Sequence, residues 1–244
     1  MILFISDLHL SAQTPELTRI FLTFLGGRCR AAEALYILGD FFDYWVGDDE
    51  IDDPYNRHIV TALRELTDSG VALKVMHGNR DFLLGERFAA ASGASLVPDP
   101  TVLSLPTWQF VLSHGDALCT GDSEYLAFRS QVRDPDWQRQ FLARPLAERR
   151  AIAQGLRQRS EDTKREKTPE LMDVAPGATE DFLRQHGYAT CIHGHTHRPA
   201  THDHIVDGIH VERWVLADWR EDGAASRGEC LAWDGEKLLR QALA

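Results

Sequence analysis

Five short polar blocks, each placed directly after a short apolar run, constrain this chain more than anything else in it. They are Asp7-Leu8-His9, Gly39-Asp40-Phe41-Phe42-Asp43, Gly78-Asn79-Arg80-Asp81, His114-Gly115-Asp116 and Gly194-His195-Thr196-His197. The preceding runs, Ile2 to Ile5, Leu35 to Leu38, Val71 to Met76, Phe110 to Leu112 and Ala189 to Ile192, read as strands. Strand ends where polar side chains suddenly concentrate are where α/β proteins place their sites. Together the blocks offer Asp7, His9, Asp40, Asn79, His114, His195 and His197, a set of oxygen and nitrogen donors large enough for two cations sharing a carboxylate. With no thiolate among them, the donors suit Mn²⁺, Fe²⁺, Zn²⁺ or Co²⁺ better than Ca²⁺ or a structural zinc.

Each block has its own geometric logic. An Asp-x-His pair on an extended segment puts both side chains on one face. Asp40, straight after Gly39, can reach past the strand end to bridge two ions. Asn79 offers a neutral carbonyl oxygen, with Gly78 letting the backbone turn sharply beneath it. Gly194-His195-Thr196-His197 repeats the two-residue spacing with imidazoles, and Gly194 removes bulk beside the ions. Alone, the D-x-H, G-D and G-N-R-D blocks read as ordinary turns, and only Gly194-His195-Thr196-His197 after a strand is suggestive by itself. All of them, in order and at strand ends, point to a binuclear metal centre.

The segments between the blocks predict a layered α/β domain. Thr14-Pro15-Glu16 starts a helix, with Thr14 as N-cap and Leu17, Ile20, Phe21, Phe24 and Leu25 on its inward face. Pro54 opens a second, with Ile59, Leu63 and Leu66 inward and Ser69-Gly70 closing it; Phe82 to Ala91 reads as a third, ended by Gly93. Residues 121–170 are helical in composition and form an expected insertion into a core of residues 1–120 and 171–244. A helix at Thr179 to His186 and strands at Ile209 to Leu216 and Glu229 to Trp233 complete the core.

A net charge of −11 argues against broad nucleic-acid binding, which needs a basic footprint. Within that acidity, Arg144 to Lys167 holds eight Lys/Arg against four Asp/Glu, an island suited to one anionic partner at one place. No basic segment precedes an apolar stretch at the N-terminus, so no signal peptide is expected. No apolar run approaches the ~20 residues of a spanning helix. Cys29, Cys119, Cys191 and Cys230 stand far apart, fitting buried thiols in a reducing cytoplasm rather than a disulfide or zinc framework.

The order D-x-H, G-D-x-x-D, G-N-x-[DE], H, G-H-x-H resembles the calcineurin-like binuclear metallophosphoesterase superfamily. That resemblance implies a four-layer αββα sandwich. It assigns one ion to Asp7, His9, Asp40 and His197 and the other to Asp40, Asn79, His114 and His195, with Asp40 bridging. One position departs from the superfamily pattern: its G-N-H-[DE] histidine, which helps the leaving group depart, is Arg80 here. Arg cannot donate a proton at neutral pH but can clamp a phosphate bidentately, which suits a leaving group that is already a good one. The ordinary alternative for Arg80 is an ion pair with Asp81.

Longer strings are more specific. Ile37 to Asp49 (ILGDFFDYWVGDD), His77 to Leu83 (HGNRDFL), His193 to Pro199 (HGHTHRP), His114 to Asp122 (HGDALCTGD) and Tyr125 to Arg129 (YLAFR) resemble the UDP-2,3-diacylglucosamine diphosphatases of bacterial lipid A synthesis. The similarity runs from Met1 to about Trp219. It implies Mn²⁺-dependent hydrolysis of the pyrophosphate of UDP-2,3-diacylglucosamine to UMP and 2,3-diacylglucosamine 1-phosphate (lipid X). Asp40, Asn79, Arg80 and His195 would be catalytic, and Asn79, Arg80, Asp122, Ser160, Lys164, Lys167 and His195 would contact substrate. The helical insertion would be a cap whose Tyr125, Leu126, Phe128, Trp137, Phe141, Leu142, Leu146, Ile152 and Leu156 either receive acyl chains or pack the cap itself. Lys164 and Lys167 alone would read as solvated helix residues. A cytoplasmic enzyme peripheral to the anionic inner membrane follows, with Arg149, Arg150 and Arg157 expected to face lipid. Two other readings use the same donors: a different phosphodiesterase, phosphatase or nuclease activity, or a non-catalytic scaffold of the same fold.

Overall fold

The computed structural model describes residues 1–166, 173–222 and 225–243, and gives the backbone alone for 160–166, Asp222 and Ala225. In chain order the elements begin β1 (Ile2–Ile5), α1 (Pro15–Gly26), β2 (Ala34–Leu38), α2 (Pro54–Asp68), β3 (Ala72–Met76), α3 (Glu86–Ser92) and β4 (Ser95–Val97). Next come β5 (Thr101–Ser104), β6 (Gln109–Ser113), α4 (Ser123–Val132), α5 (Pro135–Leu142) and α6 (Leu146–Glu166). The chain continues through α7 (Pro176–Gln185), β7 (Thr190–His193), β8 (Ala200–Val206) and β9 (Ile209–Val215). It closes with β10 (Arg220–Asp222), β11 (Ala225–Arg227), β12 (Glu229–Trp233) and β13 (Leu238–Ala242).

Two sheets form the middle of the molecule, one ordered β13-β12-β1-β2-β3-β4 and the other β5-β6-β7-β9-β8. Strand alternation decides what each face meets. From the first sheet, Ile2, Phe4, Tyr36, Leu38 and Met76 pack against Phe110, Leu112 and Ile192 of the second, making the inter-sheet core. The alternate residues Leu3, Ile5, Leu35, Ile37, Leu73 and Val75 face the apolar stripes of α1 and α2. Beyond the second sheet, Val111 and Cys191 pack on Leu183 of α7. The layers therefore run helix, sheet, sheet, helix. Parallel pairing of β1 with β2, β2 with β3 and β6 with β7 brings the C-terminal ends of β1, β2, β3, β6 and β7 to one edge of the sandwich.

Several boundaries differ from expectation for identifiable reasons. Thr14 precedes α1 but its side chain does not cap it; Glu221 of β10 takes the N–H groups of Glu16 and Leu17 instead, at 2.7 and 3.1 Å. Helix α3 starts at Glu86 rather than Phe82, because the Asp48 carboxylate accepts from the amides of Gly85, Arg87 and Phe88 and so fixes the first turn from another loop. Helix α7 starts earlier than Thr179, at Pro176, whose fixed φ suits a first turn. All four cysteines are buried and free.

Between β6 and α7 lie α4, α5 and α6, of which α5 and α6 lean on the first helical layer. Phe141 is buried in that core, with Trp137, Leu146 and Ile152 packed against it. Trp137 stacks on Phe141 with ring centroids 4.9 Å apart. These four apolar residues thus pack α5 and α6 against the core. Leu126, Phe128 and Leu156 are only partly buried, and Leu142 is exposed.

Three arginines of the basic island, Arg149, Arg150 and Arg157, are engaged within the chain rather than free for an external anion, which corrects the expectation for them. Arg149 is buried, its guanidinium on the Val46 carbonyl and the Asp49 carboxylate. Arg150 donates twice to Glu50, at 3.0 and 2.6 Å, and Arg157 pairs with Asp43. Arg144 pairs with Glu148 one turn along α6. The acidic run after β2 takes up the charge of Arg149, Arg150 and Arg157, so these three staple α6 to the core. The spacing from Asp43 to Asp53 could have signalled this complement.

Candidate metal centre

All seven residues expected as metal ligands converge at the strand-end edge. Asp7 and His9 follow β1, Asp40 follows β2, Asn79 follows β3, His114 follows β6, and His195 and His197 follow β7. Two groups of side chains bring their donor atoms within 4.8 Å of one another: Asp7, His9 and His197, and Asp7, Asp40 and His114. Asp40 divides its carboxylate between them, with Oδ2 3.8 Å from His9 Nε2 and Oδ1 3.8 Å from His114 Nε2. Asn79 Oδ1 lies 2.9 Å from His114 Nε2 and 2.8 Å from His195 Nδ1. His9 and His197 present their Nε2 atoms to each other at 3.4 Å. That Asp7 enters both groups was not visible in the sequence.

The backbone achieves this convergence in an unexpected way. Asp7, His9, Asp40, His195 and His197 all have left-handed φ, between 48° and 68°. The extended D-x-H expected from the spacing is therefore wrong: side chains two residues apart meet through left-handed turns, and Leu8 between them is buried in the core. Such conformations cost of order 1–3 kcal/mol each for a non-glycine residue and persist where surroundings over-determine them. Here the surroundings are visible. Asp7 N donates to the Gly39 carbonyl, His9 N to that of Asp40, and Trp219 N to that of Asp7.

Three glycines make room. A Cβ on Gly39, itself at φ +89°, would come within 2.6 Å of Gly78 Cα and His114 Nδ1. One on Gly78 would overlap the amide and carboxylate of Asp40, and one on Gly194 would overlap Ser6 and the Asp7 carboxylate. Gly78 thus serves by small size, since its φ is not among the positive ones.

Asp81 was expected only as a possible partner of Arg80, and that pairing is absent from the structure. Its buried carboxylate instead accepts from the amides of Phe41 (2.7 Å), Gly78 (2.8 Å), Asp40 (3.3 Å) and Phe42 (3.4 Å). One side chain so ties the loop after β2 to the loop after β3. Arg80 turns to Asp43, with Nη1 3.6 Å from Oδ1, while its amide donates to Asp40 Oδ1 at 2.8 Å.

Supporting residues surround the donors. His114 Nδ1–H donates to the Leu38 carbonyl at 2.9 Å, which leaves Nε2 facing the site. His197 Nδ1 lies 3.4 Å from Asp218. Ser6 donates to Asp7 Oδ2 at 2.5 Å, and His195 N to the same oxygen at 2.9 Å. Asp7 Oδ1 is buried and makes no hydrogen bond among the described residues, with His197 Nε2 3.4 Å away. A buried, unsatisfied carboxylate oxygen between imidazoles is what a cation would complete.

Electrostatics agree with that reading. Burial works to raise the Asp7 pKa, but His197, His114 and His9 outweigh it and hold the carboxyl well below its usual range. Burial pushes Asp40 up. Burial works to lower His114, yet Asp40 and Asp7 raise it to about 9, the two carboxylates favouring positive charge at this position. His195, buried and beside His114, falls to about 3.

The residues expected to touch substrate are placed unevenly. Asn79, Arg80 and His195 are at the centre. Asp122 is the N-cap of α4, accepting from Tyr125 N at 3.1 Å. The side chains of Ser160 and Lys164, and all of Lys167, lie outside the described residues. Asp116, named only as part of the His114 block and given no role there, anchors α4 at the rim: it accepts from Tyr125 Oη at 2.6 Å and Arg129 Nε at 2.8 Å. The Tyr125 ring lies 5.9 Å from that of His195.

The calcineurin-like phosphoesterase family profile matches residues 1–199. A UDP-2,3-diacylglucosamine hydrolase of Aromatoleum aromaticum is 52% identical over 233 residues, 96% of this chain and 93% of that protein. Proteins of the same name from Chromohalobacter salexigens and Cellvibrio japonicus are 50% and 48% identical, covering 89% and 95% of this chain and 88% and 98% of theirs. On its strand-end donors and its full-length similarity, the chain belongs to the calcineurin-like phosphoesterases, in the family whose curated members are named UDP-2,3-diacylglucosamine hydrolase.

Proposed function

We propose that this chain hydrolyses the pyrophosphate bond of UDP-2,3-diacylglucosamine, giving UMP and 2,3-diacylglucosamine 1-phosphate (lipid X), in lipid A synthesis. The observation that carries the chemistry is the Asp40 carboxylate, split between His9 and His114 among donors drawn from both sheets. The substrate comes from relatives at about half identity along nearly the whole chain.

The donors fit a pair of divalent cations, with Mn²⁺ proposed and Fe²⁺, Zn²⁺ or Co²⁺ compatible with the same O/N set. Asp7, His9, Asp40 and His197 would hold one, and Asp40, Asn79, His114 and His195 the other. When bound, the cations supply an acidified water and charge stabilisation for in-line displacement. The protein's own groups do the rest. Arg80, braced by Asp43 and mostly buried, holds phosphoryl oxygens by bidentate N–H bonds and moves no proton. His195, from the loop after β7, and Asn79, next to Arg80 on the loop after β3, orient the same phosphate. No side-chain nucleophile is required, so no covalent intermediate forms.

In this reading residues 121–170 act as a substrate cap on the core of 1–120 and 171–244. Asp122, Ser160, Lys164 and Lys167 meet the sugar and phosphates, and Leu126, Phe128, Leu142 and Leu156 are the apolar residues left for acyl chains. Two acyl chains partition strongly into bilayers, at about 0.8 kcal/mol per CH₂, so the enzyme must collect its substrate at a membrane surface. No helix among the described residues is long and apolar enough to cross one. Peripheral contact with the cytoplasmic face of the anionic inner membrane is proposed, through exposed Arg159 and the basic residues after it. The net charge of −11 disfavours nucleic acid as a partner.

A substrate panel with Mn²⁺ tests the reading. UMP should appear from UDP-2,3-diacylglucosamine far faster than product from cyclic nucleotides, phosphopeptides or bis-p-nitrophenyl phosphate. Preference for any of those would replace this substrate with another phosphoesterase activity.

A further inference from the structure

We infer that Arg213 and His193 are positioning residues for the metal centre: Arg213 sets the tautomer of His193, which orients the peptide joining Gly194 to His195. The inference rests on the metal-dependent reading above.

His193 ends β7 and is fully buried; Arg213, on β9, is 6% exposed. β7 and β9 are parallel, with Cys191 opposite Arg213, so the long Arg213 side chain reaches forward along the strand to His193. Its Nη1 lies 2.9 Å from His193 Nε2, while Nε donates to His204 Nε2 at 3.2 Å. A guanidinium has donors only, so His193 Nε2 must accept. The ring proton is thereby left on Nδ1, 2.9 Å from the Gly194 carbonyl, which can only accept. Both ends of the imidazole agree on one tautomer.

The peptide that receives this bond is central to the site. On its far side His195 N donates to Asp7 Oδ2 at 2.9 Å, and Gly194 N donates to the His114 carbonyl at 2.9 Å. The His193 ring also abuts the other loop: a Cβ on Gly115 would come within 2.7 Å of Nδ1. One imidazole is thus wedged between the turns that carry His114 and His195. His195 is left-handed at φ 68°, and an orienting bond on its leading peptide is one of the constraints that hold it there. With the alternative tautomer, a ring lone pair would face the Gly194 carbonyl and the peptide would rotate away, taking the His195 amide off Asp7. Outer partners of ligating residues are typically worth 10–100-fold in metal affinity.

The test combines a spectroscopic and a binding readout. In metal-free wild type, ¹⁵N-histidine NMR should show His193 as the Nδ1–H tautomer. Arg213→Met should populate Nε2–H and weaken Mn²⁺ binding, by calorimetry, about 10–100-fold. His193→Asn keeps a donor at the Nδ1 position and should bind Mn²⁺ close to wild type, with Arg213→Met adding nothing in that background. His193→Gln, which places its amide at the Nε2 position, should bind as weakly as Arg213→Met; the Asn/Gln contrast decides if Arg213→Met fails to fold. An Nε2–H tautomer in wild type, unchanged Mn²⁺ affinity in Arg213→Met, or equal affinity of the Asn and Gln variants would overturn the inference. Wild type that binds no Mn²⁺ would overturn the metal reading itself and this inference with it.

Discussion

Replacing Asp81 with Asn should unsettle the metal centre without touching any proposed ligand. The carboxylate is fully buried and each oxygen takes one short amide bond, Oδ1 from Gly78 at 2.8 Å and Oδ2 from Phe41 at 2.7 Å. An amide side chain can accept at one of these positions only. At the other its NH₂ faces a backbone N–H, orphaning a buried donor at a cost of about 1–3 kcal/mol, and the remaining bond loses its charged acceptor. The sum is about 3 kcal/mol, which for a domain of this size lowers Tm by roughly 6–12 °C. Because the Asp40 amide also points at Asp81, at 3.3 Å, the variant should bind Mn²⁺ more weakly than wild type. Circular-dichroism melting of the metal-free protein gives the first effect and calorimetric Mn²⁺ titration the second. A Tm within about 2 °C of wild type would refute the account of Asp81 as the tie between the two loops.

Gly194→Ala drives a methyl into Ser6 and the Asp7 carboxylate, so Mn²⁺ binding should be lost while far-UV circular dichroism keeps its wild-type shape. Arg80→His restores the superfamily residue, yet it removes the planar guanidinium; kcat on UDP-2,3-diacylglucosamine should fall at least ~10-fold, and full activity would contradict the phosphate-clamp role. Arg149→Gln breaks a buried bond to Val46 and Asp49, so protease cleavage within 121–159 should accelerate. Flotation with anionic vesicles should not change, because the guanidinium is not at the surface.

The donors were legible because each stands where an apolar run gives way to polar residues, and because a layered parallel sheet gathers such ends on one edge. What stayed hidden has specific causes. The left-handed backbone at five donors does not follow from residue type alone: Asp and His tolerate it better than most residues but still adopt it only in a minority of cases. Asp81, Asp48 and Glu221 cap or tie segments distant in sequence, so neither the start of α3 nor the capping of α1 follows from local spacing. β8 reads Ala-Thr-His-Asp-His-Ile-Val at a sheet edge, with little apolar alternation to announce it. The basic island was legible as charge but not as structure, because its acidic partners lie about 100 residues earlier in the loop after β2.

Metal-stripped protein titrated with Mn²⁺ while UMP release from UDP-2,3-diacylglucosamine is followed tests the central claim most directly. Turnover should be absent without metal, rise with added Mn²⁺ and saturate at two ions per chain, and Asp40→Ala should keep less than about a tenth of it. UMP release that survives chelation, or that Asp40→Ala leaves intact, would contradict a binuclear centre bridged by Asp40.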